Sequence, residues 1–225
     1  MERALEKTKK VAKSGNKEEI EKKSALEELH ETLSQGSNVR QIELDESIAI
    51  YARELRLITS KPMMIIANMD EDDHGKDNEY CARIREYAEQ QKIAVVEVCA
   101  YFESEMVGLK EDERQDFLKE AGLACSGLDL ITQEGYRLLN LLTFFTAGPK
   151  EARAWTVHQG ASAPQAAGCI HTDFEKGFIR AEIIAYDDYV TCGGEHQARD
   201  AGKWRLEGKD YVMQEGDVAH FRFNT

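Results

Sequence analysis

Two short apolar runs separated by a helix-length segment constrain the fold of this 225-residue chain most strongly. Met63–Ala67 and Ile93–Val98 are short, rich in aliphatic residues and flanked by proline or polar residues, which is typical of buried strands. Between them, Tyr80, Ile84 and Tyr87–Ala88 have helical spacing and predict a helix that faces a core. Strand, helix and strand in this order predict a right-handed βαβ unit with parallel strands.

Asn68–Glu71 follows the first strand directly, at the edge where open α/β sheets bind ligands. An Asn with an acid three positions later is the spacing with which GTPases read a base, as Asn-Lys-x-Asp; here Met69 replaces the lysine and Glu71 the aspartate. Glutamate is one methylene longer than aspartate and would misplace the two hydrogen bonds that guanine donates. The residues therefore predict a base edge that has lost guanine selection and holds adenine, and the alternative is an ordinary surface loop.

Cys99, Ala100 and Tyr101 leave the second strand at the same edge. We expect Cys99 and Ala100 to contribute backbone groups, with a reactive Cys99 thiol as the alternative. Asn68 is predicted to contact adenine or else to form a turn or helix cap. Met69 is predicted to pack its stem on the base or within the loop. Glu71 either accepts hydrogen bonds from the loop backbone or is simply exposed.

A helical arm is predicted at the start of the chain. Residues 1–33 are rich in Glu and Lys, and Leu26, Leu29 and Leu33 form a narrow apolar stripe at helical spacing. Ser14–Asn16 interrupts the pattern, and a second helix is predicted over Asp45–Leu57. Because no helix precedes Met1, we expect the stripe to lack a partner and the first half of the chain to be poorly stable, with Met1 an internal residue or the start of a truncated gene.

The last third of the chain predicts a small α+β roll, in which a short sheet carries a helix on one face. A helix is predicted over Leu128–Leu142 before it, and Gly148-Pro149 is interpreted as the boundary of a domain over residues 143–225. The predicted strands and helices of this domain are Ala152–Val157, Phe178–Ile184, Tyr211–Met213, Val218–Phe223, Gln165–Cys169 and Glu195–Ala201.

Composition excludes several classes of protein. A net charge of −13 argues against broad nucleic-acid binding, and residues 1–33 contribute nothing to it because eight basic residues balance eight acidic ones. One basic patch is a candidate, although a solvated face is the favoured interpretation: Arg199, Lys203, Arg205 and Lys209. No window approaches the ~18 apolar residues of a membrane span. The five cysteines are scattered without a C-x-x-C pair, so reduced thiols in the cytoplasm are expected.

Other residues that could carry chemistry are interpreted as structural. The spacing of one group fits no zinc ligand pattern, so no metal site is predicted: His158, His171, Asp173 and His196. A set of aromatic residues could stack on RNA bases, but packing in the core of a small domain is favoured: Trp155, Phe178, Trp204, Tyr211 and Phe221.

The C-terminal third of the chain resembles a known protein family. Its sequence includes GPKEARAWTVHQGASAPQAAGCIHTDFEKGFIRAEIIAYDDYV and GKWRLEGKDYVMQEGDVAHFRFN. These stretches closely resemble the C-terminal TGS domain of the YchF family, Obg-related P-loop ATPases of the translation-factor class. Leu57–Pro62, the Asn68–Glu71 variant and Cys99–Tyr101 resemble the same family, so the likeness covers essentially the whole chain.

The resemblance implies a fold of mixed α+β and α/β class. Residues 1–56 would be the returning half of a helical coiled-coil arm, 57–142 the last part of a P-loop nucleotide-binding domain, and 143–225 a ubiquitin-like β-grasp TGS domain. It also implies adenine nucleotide as ligand, Mg²⁺ only together with the phosphate machinery, the ribosome as partner, and neither membrane nor free DNA.

The chain departs from the family in one respect: it contains no G-x-x-x-x-G-K-[ST] sequence. We therefore expect a C-terminal fragment of an ATPase that keeps the adenine edge but has no catalytic residues and hydrolyses no ATP alone. The alternative is a stand-alone module that docks on a ribosome or protein partner through the TGS domain and arm, without nucleotide.

Overall fold

The computed structural model describes residues 1–42, 44–73 and 78–224, which divide into two compact units, Met1–Cys99 and Ala100–Thr225. The predicted nucleotide-binding segment, 57–142, spans this division. The first unit contains α1 (Glu2–Ala12), α2 (Lys17–Ser34), α3 (Glu46–Glu54), β1 (Met64–Asn68), α4 (Glu79–Gln91) and β2 (Ala94–Val98), with short 3₁₀ turns at Val39–Gln41 and Ile58–Ser60.

The predicted arm is a helical hairpin with its own core, so the expectation of an unpartnered stripe was wrong. Gly15 reverses the chain at a φ of +82°, and the Asn16 side chain caps α2 by accepting a hydrogen bond from the Glu18 backbone N–H at 3.0 Å. Helices α1 and α3 then cover the stripe of α2, and the buried residues of this cluster are Leu5, Ala25, Leu26, Leu29, Val39, Ile48 and Ala52. Sequence reasoning missed α1 as the partner because it counted the two helices as one arm.

The βαβ unit forms as expected, with parallel strands in the register Met64 to Ala94 through Asn68 to Val98. Asn78 caps α4 by accepting a hydrogen bond from the Cys81 backbone N–H at 2.8 Å. The helix faces the sheet with Cys81 and Ala88, whereas Tyr80 is 74% and Tyr87 50% exposed, so the prediction that these two tyrosines face the core was wrong. Within the described residues this sheet has two strands, which leaves one edge of β1 without a paired strand.

The second unit begins with three helices and continues into a five-stranded sheet, in the order β4-β3-β7-β5-β6. Its elements are α5 (Ala100–Glu105), α6 (Glu111–Glu120), α7 (Gly127–Leu138), β3 (Leu141–Ala147), β4 (Ala152–His158), α8 (Ala163–Ile170), α9 (Thr172–Lys176), β5 (Phe178–Ala185), α10 (Tyr186–Cys192), α11 (Glu195–Asp200), β6 (Arg205–Glu207) and β7 (Asp217–Phe223). Strands β3 and β7 are parallel, and the other pairs are antiparallel.

Two expectations about this unit were wrong. Leu141 and Leu142 lie in β3 rather than in the preceding helix, because Asn140 adopts a left-handed φ of +54° that ends the helical geometry. Gly148-Pro149 is not a boundary, since it lies in the hairpin loop that joins β3 to β4, where the Gly148 N–H donates to the Glu151 carbonyl at 2.9 Å. The sheet therefore starts at Leu141.

The core of the second unit lies between the sheet and α8, as the α+β roll predicts. Phe144 and Ile183 are fully buried there, and Phe221 meets Phe144 edge to face with ring centroids 5.9 Å apart. Residues 211–213 form only an isolated bridge, between Ser162 and Val212, rather than the predicted strand. No helix among the described residues is long and apolar enough to cross a membrane.

Candidate functional site

The carboxyl ends of β1 and β2 lie side by side, as the base-edge hypothesis requires. Asn68 is the last residue of β1 and is exposed; it pairs in register with Val98, the last residue of β2. The ladder continues for one further bond, because the Met69 N–H donates to the Val98 carbonyl at 2.8 Å. This bond fixes the chain after Asn68 beside the chain that leaves β2.

Met69 takes the second of its two predicted roles. Its side chain is 8% exposed, and its Sδ lies 3.1 Å from the Cys81 Sγ of α4. The thioether therefore packs the loop against α4, which agrees with the interpretation that Met69 packs within the loop. Met69 therefore contributes its backbone groups to the edge, while its side chain is buried.

The acidic turn lies on the solvent side of this edge. Glu71 is exposed within the turn that follows β1, and the Asp73 N–H donates to the Asp70 carbonyl at 3.1 Å. Exposure leaves the Glu71 carboxylate accessible to a ligand.

The backbone interpretation of Cys99 agrees with its burial. Its side chain is 2% exposed and the cysteine is unpaired. Ala100 and Tyr101 open α5 in the second unit, and the Tyr101 ring is 53% exposed. The structure thus brings Asn68, Met69 and Cys99 together at one edge of the first unit.

An ion pair that sequence reasoning missed holds the sheet and helix of this unit together. Arg85 of α4 donates from Nε and from one terminal nitrogen to the two carboxylate oxygens of Glu97 in β2, at 2.6 and 3.0 Å. A two-point contact of this kind restrains both position and orientation. The signal in the sequence was weak, because an Arg and a Glu twelve residues apart have no periodic relation.

Two of the histidines considered as metal ligands lie close to acidic residues. His171 lies 3.5 Å from Asp173 and His196 lies 3.1 Å from Asp200, both pairs on the surface. One group in the described residues brings three ligand-type atoms together, namely Glu182, Glu195 and His220. Arg222 binds both carboxylate oxygens of Glu182 at 3.0 Å, so this carboxylate already has its cationic partner. The hydrogen bonds from Arg222 hold the pKa of Glu182 below its usual value, which fits an ion pair rather than a cation site.

Three of the four residues of the predicted basic patch contact nearby acidic or aromatic side chains. Lys203 pairs with Asp188 at 3.2 Å, Arg205 lies 3.5 Å from Asp217, and Arg199 stacks over the Trp204 ring at 4.6 Å. Phe178 and Phe221, from the predicted aromatic set, are buried in the core of the second unit. This surface therefore carries no argument for nucleic-acid binding.

Comparison with known proteins places this fold in a class. Residues 141–224 match the YchF-GTPase_C family model, described as a protein of unknown function. Two curated relatives are each called ribosome-binding ATPase YchF: that of Haemophilus ducreyi is 51% identical over all of this chain and 61% of its own length, and that of Bacillus subtilis is 45% identical over all of this chain and 62% of its own. The solved Schizosaccharomyces pombe YchF GTPase is 32% identical with a TM-score of 0.83, covering 98% of this chain and 61% of that one.

These matches define a class of proteins named for nucleotide hydrolysis, in which a mixed α/β region is followed by the five-stranded sheet. Over its whole length, the chain is similar to the C-terminal portion of YchF family members. It spans about three fifths of the length of the curated relatives that it matches, 61% for the Haemophilus ducreyi protein.

Proposed function

We propose that this chain is the C-terminal part of a ribosome-associated ATPase and that the carboxyl edge of β1 and β2 is its adenine-binding site. The observation that carries the proposal is the position of Asn68. It ends β1 in register with Val98, beside the backbone of Cys99 and three residues before the exposed Glu71. An amide that both donates and accepts can read the edge of a base, and Glu71 stands where GTPases place a shorter carboxylate.

The residues of this chain fit the base but not the triphosphate. The exposed Asn68 amide and the backbone groups of Met69 and Cys99 are the groups of the first unit that could bind the base. The sequence has no G-x-x-x-x-G-K-[ST] segment to hold phosphates, so Mg²⁺ and phosphoryl transfer would depend on residues that this sequence does not contain. When bound, ATP would supply the adenine ring to this edge, and no catalytic residue is assigned.

The domain assignments belong to the same proposal. We assign residues 1–56 to the returning part of a coiled-coil arm, 57–142 to the end of a nucleotide-binding domain, and the sheet of the last unit to a TGS β-grasp domain. The hairpin of α1 and α2 supports the first assignment, and the central parallel pair β3–β7 with α8 across one face supports the last. The names of the relatives support the proposed ribosome association, and the free cysteines support the proposed cytoplasmic location.

The experiment that tests the adenine site compares fluorescent adenosine and guanosine analogues in a titration of this chain. We expect weak binding of adenosine, weaker binding of guanosine, and a loss of adenosine affinity of about tenfold in Asn68→Ala, because one base hydrogen bond contributes on the order of 1–1.5 kcal/mol. Asn68→Asp keeps the shape of the side chain but removes the amide donor, and it should lose the same affinity.

Asn224→Ala is the matched control, since it removes an exposed asparagine amide in the other unit. Circular dichroism verifies that each variant is folded. Equal affinity for guanosine, or adenosine binding that survives both Asn68 substitutions, would exclude the adenine site.

The second candidate function is a binding module that acts without nucleotide. The observation in its favour is the complete core of the five-stranded unit, with Phe144, Ala181 and Ile183 fully buried. Co-sedimentation with ribosomes separates the two candidates. Sedimentation that ATP and Asn68→Ala leave unchanged supports the module, whereas sedimentation that changes with both supports the nucleotide-dependent protein.

A further inference from the structure

The five-stranded sheet has two edge strands of very different length. At one edge, β6 spans three residues, Arg205–Glu207, and offers little backbone to a further strand. At the other edge, β4 spans seven residues, Ala152–His158, and pairs with β3 in an unbroken register. Proteins commonly shield a long edge strand with proline, lysine or a bulge. The sequence of β4 contains no proline or lysine and its register has no bulge, so this edge can accept another strand.

The backbone of β4 presents hydrogen-bonding groups to the open side of this edge. The Gln159 N–H donates to the Asn140 carbonyl at 2.7 Å, in the same register as the β3–β4 pair, so the odd-numbered residues of β4 bond to β3. The even-numbered residues therefore point their N–H and C=O groups away from β3. Within the described part of the chain, the backbone groups of Ala154 and Thr156 have no hydrogen-bond partner, and both residues are exposed.

An arginine is held in a fixed position beside these groups. The Arg153 guanidinium carbon lies 4.2 Å from the centroid of the Trp155 ring, and the Trp155 Nε1–H donates to the Thr146 hydroxyl at 2.9 Å, which fixes the ring. Among the residues that the structure describes, Arg153 has no ion-pair partner. Because the ring covers one face of a planar guanidinium, the N–H donors in its plane stay free for a carboxylate.

The local charge of the β3–β4 hairpin differs in sign from that of the whole chain. Residues 148–160 contain two basic residues, Lys150 and Arg153, and one acidic residue, Glu151, which gives +1 in a chain of net charge −13. Exposed charges farther away than about 8 Å are largely screened at physiological salt. The edge therefore attracts an acidic ligand although the chain as a whole is acidic.

We propose that β4 binds an extended acidic segment of a partner protein, which joins the sheet as a further strand. The segment runs antiparallel to β4, the pairing that is slightly more stable per residue, and it bonds to the backbone of Ala154 and Thr156. Its acidic side chain lies opposite Arg153. Because residues two apart share one face of a strand, the residue two positions before the acid lies opposite Trp155 and is apolar. The recognised pattern is apolar-x-acid.

A second copy of this chain fits the edge less well than an acidic peptide. The strand Ala152–His158 contains no acidic residue, so a second β4 offers no carboxylate to Arg153. Antiparallel pairing of two β4 strands about Trp155 would place each Arg153 opposite Val157 and leave both guanidinium groups without an anion. The peptide proposal depends neither on the adenine site nor on ribosome association, since every contact that carries it lies within the five-stranded unit.

The test titrates the whole chain against a fluorescent, end-blocked peptide, Thr-Val-Thr-Val-Thr-Asp-Thr, and against the same peptide with Asn in place of Asp. Arg153→Glu reverses the charge at the edge, and Lys209→Glu is the matched control because it changes the net charge equally at an exposed lysine of the same unit. Ala154→Pro removes an outward N–H without removing a bond to β3. Circular dichroism verifies that each variant is folded.

We expect both Arg153→Glu and the Asn peptide to lower the affinity by about tenfold or more, because a charge-assisted pair is lost. Lys209→Glu should bind like the unchanged chain, and Ala154→Pro should lose binding. Bound peptide should also slow hydrogen exchange at the Ala154 and Thr156 amides, a measurement that decides the question even if Ala154→Pro does not fold.

Three results would overturn the proposal. The first is no binding of the Asp peptide up to about 1 mM. The second is affinity that survives Arg153→Glu or falls equally in Lys209→Glu. The third comes from sedimentation velocity: a dimer of the unchanged chain that Ala154→Pro dissociates would assign the edge to a second copy instead of a peptide.

Discussion

At the scale of single residues, one buried carboxylate organises the loop before β7. Asp217 is 2% exposed and accepts hydrogen bonds from the Tyr211 hydroxyl and the Gln214 backbone N–H, each at 2.9 Å. Burial of the Tyr211 hydroxyl and its bond to Asp217 raise the pKa of Tyr211 to about 12, from an ordinary value of 10.0.

This shift predicts a pH dependence. Because the pKa of Tyr211 is higher in the folded state, its contribution is fully present below pH 10 and is lost as the pH rises towards 12. We expect Tyr211→Phe to lower the free energy of unfolding by about 1 kcal/mol at pH 8, through the lost hydrogen bond. The difference between the two proteins should shrink between pH 10 and 12. Urea unfolding at a series of pH values measures it, and a difference that stays constant would contradict the assignment.

Single residues could be placed from the sequence when the placement depended on neighbouring residues in the chain. Contacts between residues that are far apart in the sequence could not be predicted. Asn68 was placed at a strand end because the apolar run before it could be recognised directly. Met69 was expected either at the base or packed within the loop. Its contact with Cys81 of α4 could not be predicted, because nothing in the spacing of the two residues indicates it.

At the scale of elements, helix and strand ends depend on a few backbone positions. Helix α7 contains Gly135, where an added Cβ would meet no atom within 4 Å. Gly177 lies before β5, where an added Cβ would collide with the Asn224 carbonyl oxygen. The two glycines can therefore be compared directly. Gly135 lowers the stability of a helix, whereas Gly177 permits a close approach of two backbone segments.

Alanine substitutions at these positions should have opposite effects. Gly135→Ala is expected to stabilise the chain by about 0.5–1 kcal/mol, since alanine has the higher helix propensity. Gly177→Ala should destabilise it by more than 1 kcal/mol, because the start of β5 must move away from the end of β7. Thermal unfolding of both variants provides the measurement. A stable Gly177→Ala protein would show that this approach is relieved easily.

The sequence predicted elements well when their periodicity was clear and poorly when two interpretations shared the same residues. The apolar run Leu138–Leu142 fits a helix and a strand equally, and the left-handed Asn140 decides between them. Short helices such as α9 and α10 contain too few turns to show a period, so they were not predicted.

At the scale of the whole molecule, hydrolysis is the property that a fragment of an ATPase should lose first. We expect this chain to show no Mg²⁺-dependent ATP turnover above background, because phosphoryl transfer needs a phosphate cradle and a positioned metal, and the sequence offers no P-loop for either. A phosphate-release assay with a full-length relative as positive control tests this. Turnover that persists through repeated purification would refute the prediction.

The sequence by itself determined the parallel βαβ unit, the position of Asn68 at the end of a strand, the α+β character of the last third and the resemblance to the YchF family. These properties depend on local periodicity and on motifs that a single segment carries. Only the tertiary structure decided that α1 pairs with α2 and that Met69 is buried. Each of these depends on which side of an element packs against another, and burial of apolar area between distant segments settles that choice.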